Sequence, residues 1–153
     1  MKLPIAFLLI SALLGACIGE TKQGDGGRLS GSLVGTWQLL SGTLIEKGDT
    51  SVTDYTKNTS FIKIINDSHF AFLKYSINKD LAANYDSGGG RYTLRDSAYT
   101  EHLEYCTGRE WEGHDFAFTV SLKNDTLIQR GVEKVEKAGI DRLNIEKYVR
   151  LKK

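Results

Sequence analysis

Proline is almost missing from this chain: 153 residues hold one, Pro4, and it lies in the segment that the chain's own beginning marks for removal. No strand of the remaining domain is interrupted by a ring that lacks an N–H. Cysteine is nearly as scarce. Cys17 and Cys106 are the only two, so no disulfide framework is available. An excess of one charge is lacking too, since 20 basic side chains face 19 acidic ones and removal of Lys2 levels them. That balance provides no basic field for nucleic acid and no charge run that reads as an interaction tail. Nucleophile elbow, phosphate loop and dinucleotide fingerprint are all missing. Ser87-Gly88-Gly89-Gly90 lacks the lysine and the helix start that a phosphate loop needs.

A long apolar run is missing as well. The apolar segment Ile5 to Leu14 is too short to cross a bilayer, and with Lys2 before it and small residues after it, residues 1–16 read as a secretory signal. The ending Leu14-Gly15-Ala16-Cys17 resembles the lipobox of bacterial lipoproteins. That resemblance implies cleavage before Cys17, acylation of its sulfur by palmitate-type chains, and a lipidated new N-terminus. Several buried acyl chains at ~0.8 kcal/mol per CH₂ hold a protein on a membrane, where a single chain only visits it. Ile18 stands where an aspartate would mark inner-membrane retention, so the outer membrane of a Gram-negative envelope is implied. Residues 17–32 are rich in Gly, Ser, Lys and Asp, which describes a flexible tether.

What is present is the composition of one ordinary domain, over residues 33–153: hydrophobic residues are 41% and charged residues 25% of the chain. Its grain is one of short β-rich runs separated by turn residues, the pattern of a sandwich or barrel. The runs are Leu33 to Glu46, Ser60 to Asn66, His69 to Ser76, Arg91 to Asp96, Ala98 to Cys106, Phe116 to Leu122, Thr126 to Arg130 and Leu143 to Leu151. In the first, Trp37, Leu39 and Ile45 share a parity, with Gly42 as a candidate bulge. Asn66-Asp67-Ser68 reads as a tight hairpin, and Lys47 to Lys57 as a polar turn. Asn78 to Asn84 has the look of a helical turn, Ser87 to Gly90 that of a loop or a strongly bent strand start. Val132 to Gly139 has helical composition with Gly139 as its stop. About eight strands with short connections predict an all-β, up-and-down antiparallel barrel, with room for one short helix.

Gly35-Thr36-Trp37 at the head and Glu146-Lys147-Tyr148-Val149-Arg150 at the tail resemble the opening and closing motifs of the lipocalin and calycin group. They are most similar to the small lipocalin-like lipoproteins of Bacteroidetes-type bacteria. The resemblance implies that Gly35, Trp37 and Arg150 close the barrel, with the guanidinium over the indole face. A rival role comes from the fatty-acid-binding relatives of the group, where an inward Arg and Tyr two residues apart hold a ligand carboxylate; Tyr148 and Arg150 match that pair in type. On the last strand Glu146, Tyr148 and Arg150 share one face, opposite the apolar row Leu143, Ile145, Val149 and Leu151, and one apolar row is expected to face the core.

Glu101 is the polar residue most out of place, because Tyr99, Leu103 and Tyr105 share its face. Inside a barrel it must be paired, hydrogen-bonded or protonated: it lines a ligand cavity, forms an ion pair with an inward arginine such as Arg150, or sits at the wet rim through a strand offset. The candidate ligand-binding set is Tyr92, Tyr99, Glu101, Leu103, Tyr105 and Tyr148. The stretch from Glu110 to Asp115 has carboxylates and an imidazole but no familiar metal spacing, and His69 and His102 read as surface strand residues. No cofactor, metal or catalytic residue is expected. The function expected is a non-catalytic, lipid-anchored protein that binds a small hydrophobic or amphipathic ligand. The alternative is a structural or interaction module of the envelope with a filled barrel.

Overall fold

The computed structural model describes residues 32–78 and 85–152. The signal segment, Cys17 and nearly all of the tether lie outside them, as does most of the expected helical turn at 78–84. Among the described residues nine strands run in chain order: β1 (Gly35–Glu46), β2 (Asp49–Asp54), β3 (Thr59–Ile65), β4 (His69–Ser76), β5 (Asp86–Arg95), β6 (Ala98–Cys106), β7 (His114–Lys123), β8 (Thr126–Val135) and β9 (Ile140–Arg150). From β3 to β9 each pairs antiparallel with the next, and β1 pairs with both β3 and β9. The result is a closed, eight-stranded, up-and-down barrel.

The ninth strand is β2, hidden in the sequence inside what reads as a polar turn. It pairs with the upper half of β1 from Ser41 to Glu46, whereas β3 pairs with the lower half from Gly35 to Gln38. All six of its residues are exposed. A strand with no buried face has no apolar alternation to betray it.

The floor is built as the terminal motifs predict. Trp37 is fully buried, its Nε1–H donates to Leu33 O at 2.9 Å, and the Arg150 guanidinium lies 4.1 Å from the ring centroid. Arg150 also donates to Val34 O at 2.8 Å and to Ser32 O. Gly35 has φ 151°, and a Cβ there would run into the Arg150 guanidinium. Glycine is therefore needed where β1 starts, so that the last strand's arginine can reach across. Leu39, Ile65, Phe70, Tyr99, Val120 and Leu127 fill the barrel above this floor.

Several local expectations change. A bulge between Leu39 and Ser41 shifts the parity of β1, so Gly42 and Leu44 face inward and Ile45 outward. Of the two readings for Ser87 to Gly90, loop or strand start, the structure shows the strand: these residues pair with β4 on one side, and Gly88 to Gly90 pair with β6 on the other. Gly88 to Gly90 carry no side chains to alternate, which is why the stretch looks irregular. The reason for glycine is space, since a Cβ on Gly88 would sit 2.6 Å from the Phe72 ring. Val132 to Val135 extends strand β8 against Ile140 to Leu143, and only Glu136–Ala138 makes a 3-10 turn, with Gly139 after it at φ 67°. An isolated helix of that length would be marginal, while four more residue pairs prolong a hairpin already formed.

On β9 the apolar row does not face the core. Asn144 and Tyr148 are buried and Glu146 lines the interior, whereas Leu143, Ile145 and Val149 form the outer row. The polar row can turn inward because other strands supply its partners.

Candidate functional site

The upper half of the barrel is hollow. A cavity of ≈ 280 Å³ lies at the end away from Trp37, between walls to which all nine strands contribute. Three layers can be told apart in it.

The deepest layer is polar. Lys63 on β3 is an inward residue between Phe61 and Ile65, and its ammonium meets Glu101 Oε1 on β6 at 2.7 Å and Gln129 Oε1 on β8 at 3.1 Å. Glu146 Oε2 on β9 stands 3.8 Å from the same nitrogen and accepts a hydrogen bond from Tyr148 Oη at 2.7 Å. One cation thus serves two carboxylates. Burial pushes the Lys63 pKa down, but Glu101 and then Glu146 outweigh it, and the net shift is upward, so the ammonium stays charged. Burial pushes the Glu101 pKa up, and Lys63 only partly restores it. Tyr99, beneath them, has a fully buried hydroxyl; burial and the nearby Glu101 carboxylate hold its pKa far above the usual phenol range. Burial and then Glu146 do the same for Tyr148.

The middle layer is aromatic: Phe61, Phe72, Phe116 and Phe118 with Leu103. Phe61 packs against Tyr55 edge-on at 5.5 Å and against Phe72 at 5.7 Å.

The rim is polar again. Glu133 on β8 accepts from Arg142 Nε at 2.8 Å and from Asn144 Nδ2 at 2.7 Å. The 3-10 turn Arg109–Trp111 carries the Trp111 indole over the mouth, where it packs on Phe116 at 5.7 Å and beneath the Arg142 guanidinium at 5.4 Å. Cys106 lines the wall, and burial raises its thiol pKa. Its backbone N–H donates to Glu112 Oε1 at 3.0 Å.

Of the residues singled out from the sequence, Glu101, Leu103 and Tyr148 line this cavity. Tyr99 and Tyr92 pack against each other lower down, with ring centroids 5.1 Å apart, and Tyr92 Oη donates to Asn66 O at 2.8 Å. Tyr105 is turned outward and is 68% exposed, because a bulge in β6 opposite Gly89 and Gly90 reverses the parity there and brings Cys106 inward instead. Glu101 has an internal partner, but it is Lys63 and not Arg150, which is committed to Trp37. His102 lies outside, 2.7 Å from Asp115, and His69 Nδ1 meets Ser68 Oγ.

Sequence reasoning missed Lys63, Gln129, Glu133, Arg142 and Trp111. A signal existed for one of them: Lys63 interrupts the Phe61, Ile65 parity as Glu101 interrupts that of Tyr99 and Leu103. Two opposite charges on inward parities of a closed barrel are a candidate pair.

Fold and cavity together define a small, eight-stranded antiparallel β-barrel of a form consistent with the calycins and compatible with ligand binding. No family model matches the chain, and no curated protein matches it in sequence.

Proposed function

We propose that the protein binds a small amphipathic molecule in the upper half of its barrel, without catalysis, and that acylated Cys17 and the tether hold it at the outer membrane of the cell envelope. The observation that carries the binding reading is the hollow itself: ≈ 280 Å³ with aromatic walls above a fixed polar set. Binding sites are commonly concave, largely apolar, and furnished with a few oriented polar groups. A cavity of this size, close to the lower end of the usual range, suits a compact ligand better than a long acyl chain. Amphipathic ligands are favoured over purely apolar ones because Glu101, Glu146 and Gln129 sit at the bottom and would be desolvated by an apolar end.

A second reading, an interaction module, draws on the outer wall, where Leu73, Tyr75 and Tyr105 are exposed. The two part on one experiment. A panel of single-ring compounds bearing one polar group is screened by thermal shift against the wild type and against Leu44→Trp, which fills the mouth of the cavity. A ligand at about 100 times its Kd adds roughly 2.7 kcal/mol of apparent stability. Binding in the lumen predicts shifts for the wild type and none for the filled variant; equal responses of the two would leave the interaction module as the better account.

A further inference from the structure

We infer that the lumen selects small amphiphiles carrying an ammonium group, which the Glu146 carboxylate receives. This deepens the binding reading above and rests on it. The first observation is the charge inventory of the cavity wall. Lys63, Lys74 and Arg142 face Asp86, Glu101, Glu133 and Glu146, so the lumen is one cation short. The second is where the shortfall lies. Near the rim Arg142 is paired with Glu133 at 2.8 Å, and Lys74 and Asp86 are register partners across β4 and β5. At the bottom Lys63 gives its short bond, 2.7 Å, to Glu101 and stands 3.8 Å from Glu146.

Glu146 is thus the carboxylate with spare capacity. Its Oε2 accepts from Tyr148, and its Oε1 has no hydrogen-bond partner among the described residues. Its register partner on β1 is Gly42, whose missing side chain leaves room for the Tyr55 ring, and all three residues line the cavity. An ammonium entering past Trp111 meets aromatic faces on the way, Phe61, Phe72 and Phe116, whose quadrupoles favour a cation. It then reaches a carboxylate that the fold leaves under-compensated. A ligand carboxylate would meet the reverse: an acidic bottom whose one ammonium is already bonded to Glu101 and Gln129.

The volume limits the body of the ligand. An apolar cavity of about 150 Å³ takes up one benzene ring, so ≈ 280 Å³ admits one ring with a short polar arm. Three probes of matched shape isolate the head group: 2-phenylethylamine, 2-phenylethanol and phenylacetate. Calorimetric titration of the full chain at neutral pH should rank them in that order, the amine at least tenfold tighter than the alcohol. Glu146→Gln leaves Lys63 and Glu101 as a balanced pair and keeps an acceptor for Tyr148. In that variant the amine's advantage should vanish while the alcohol still binds, which also shows that the lumen is intact.

If the alcohol binds the wild type and the amine binds no tighter, or phenylacetate binds best, the ammonium reading is overturned and the lumen remains a ligand site. Survival of the amine's advantage in Glu146→Gln overturns the assignment to that carboxylate. Failure of all three to bind overturns both readings together.

Discussion

Glu101 and Glu146 compete for one buried ammonium, and that competition governs how the barrel responds to pH. Burial raises the Glu101 pKa from its ordinary value of 4.5, so between that value and the folded one the native state holds a proton the unfolded chain has released. Stability therefore falls as pH rises through this window. Glu101→Gln should remove that part of the slope: the difference in unfolding free energy between wild type and variant, followed by urea denaturation, shifts against the wild type from pH 4.5 upward, and a pH-independent difference would contradict it. At the floor, Arg150→Lys gives up the planar stack on Trp37 and the fork to Val34 and Ser32. A loss of about 1–2 kcal/mol is expected from the same denaturation series, since stacking and charged hydrogen bonds each contribute on that order. The Trp37 and Arg150 pairing was legible because both ends of the chain carry it as motif. The partner of Glu101 was not, because Lys63 is 38 residues away along the chain and only the closure of the barrel brings the two together.

Strand β9 joins the floor to the cavity, with Arg150 on Trp37 at one end and Glu146 and Asn144 in the lumen at the other. Its inward row is the polar one, an outcome that strand alternation alone would assign the other way. What decided it is cross-strand supply: Lys63 on β3 stands beside Glu146 and Glu133 on β8 accepts from Asn144, so the apolar row is free to cover the outer wall. Strand β2 is its opposite, six exposed residues joined to the barrel through β1 alone. Amide hydrogen exchange should show β2 opening first and independently, with β8 and β9 exchanging only near global unfolding. Uniform protection across Asp49 to Asp54 and Ile140 to Arg150 would refute that order. Exposed strands such as β2 and glycine strands such as the start of β5 escape pattern reading for one reason, that side-chain alternation is the signal and they carry none facing a core.

As a whole the molecule is a barrel filled in its lower half and hollow in its upper half, attached to whatever precedes Ser32 at the filled end. The proposed anchor, Cys17, precedes that end in the chain. Cys17→Ser should abolish incorporation of labelled palmitate and move the protein from the membrane fraction to the soluble one; continued membrane association of the variant would contradict the anchor. Architecture was legible in the sequence from strand count, short connections and terminal motifs. The hollow was not, because whether inward side chains meet across a barrel depends on bulges in β1 and β6 that move Ile45 and Tyr105 out and Leu44 and Cys106 in. The central claim, that the hollow holds a ligand, is tested most directly by native mass spectrometry of the full chain isolated from its own cells, beside Leu44→Trp prepared the same way. The account predicts a co-purifying small molecule on the wild type, released on collisional activation and missing from the filled variant; the same adduct on both, or an unadorned wild-type chain, would contradict it.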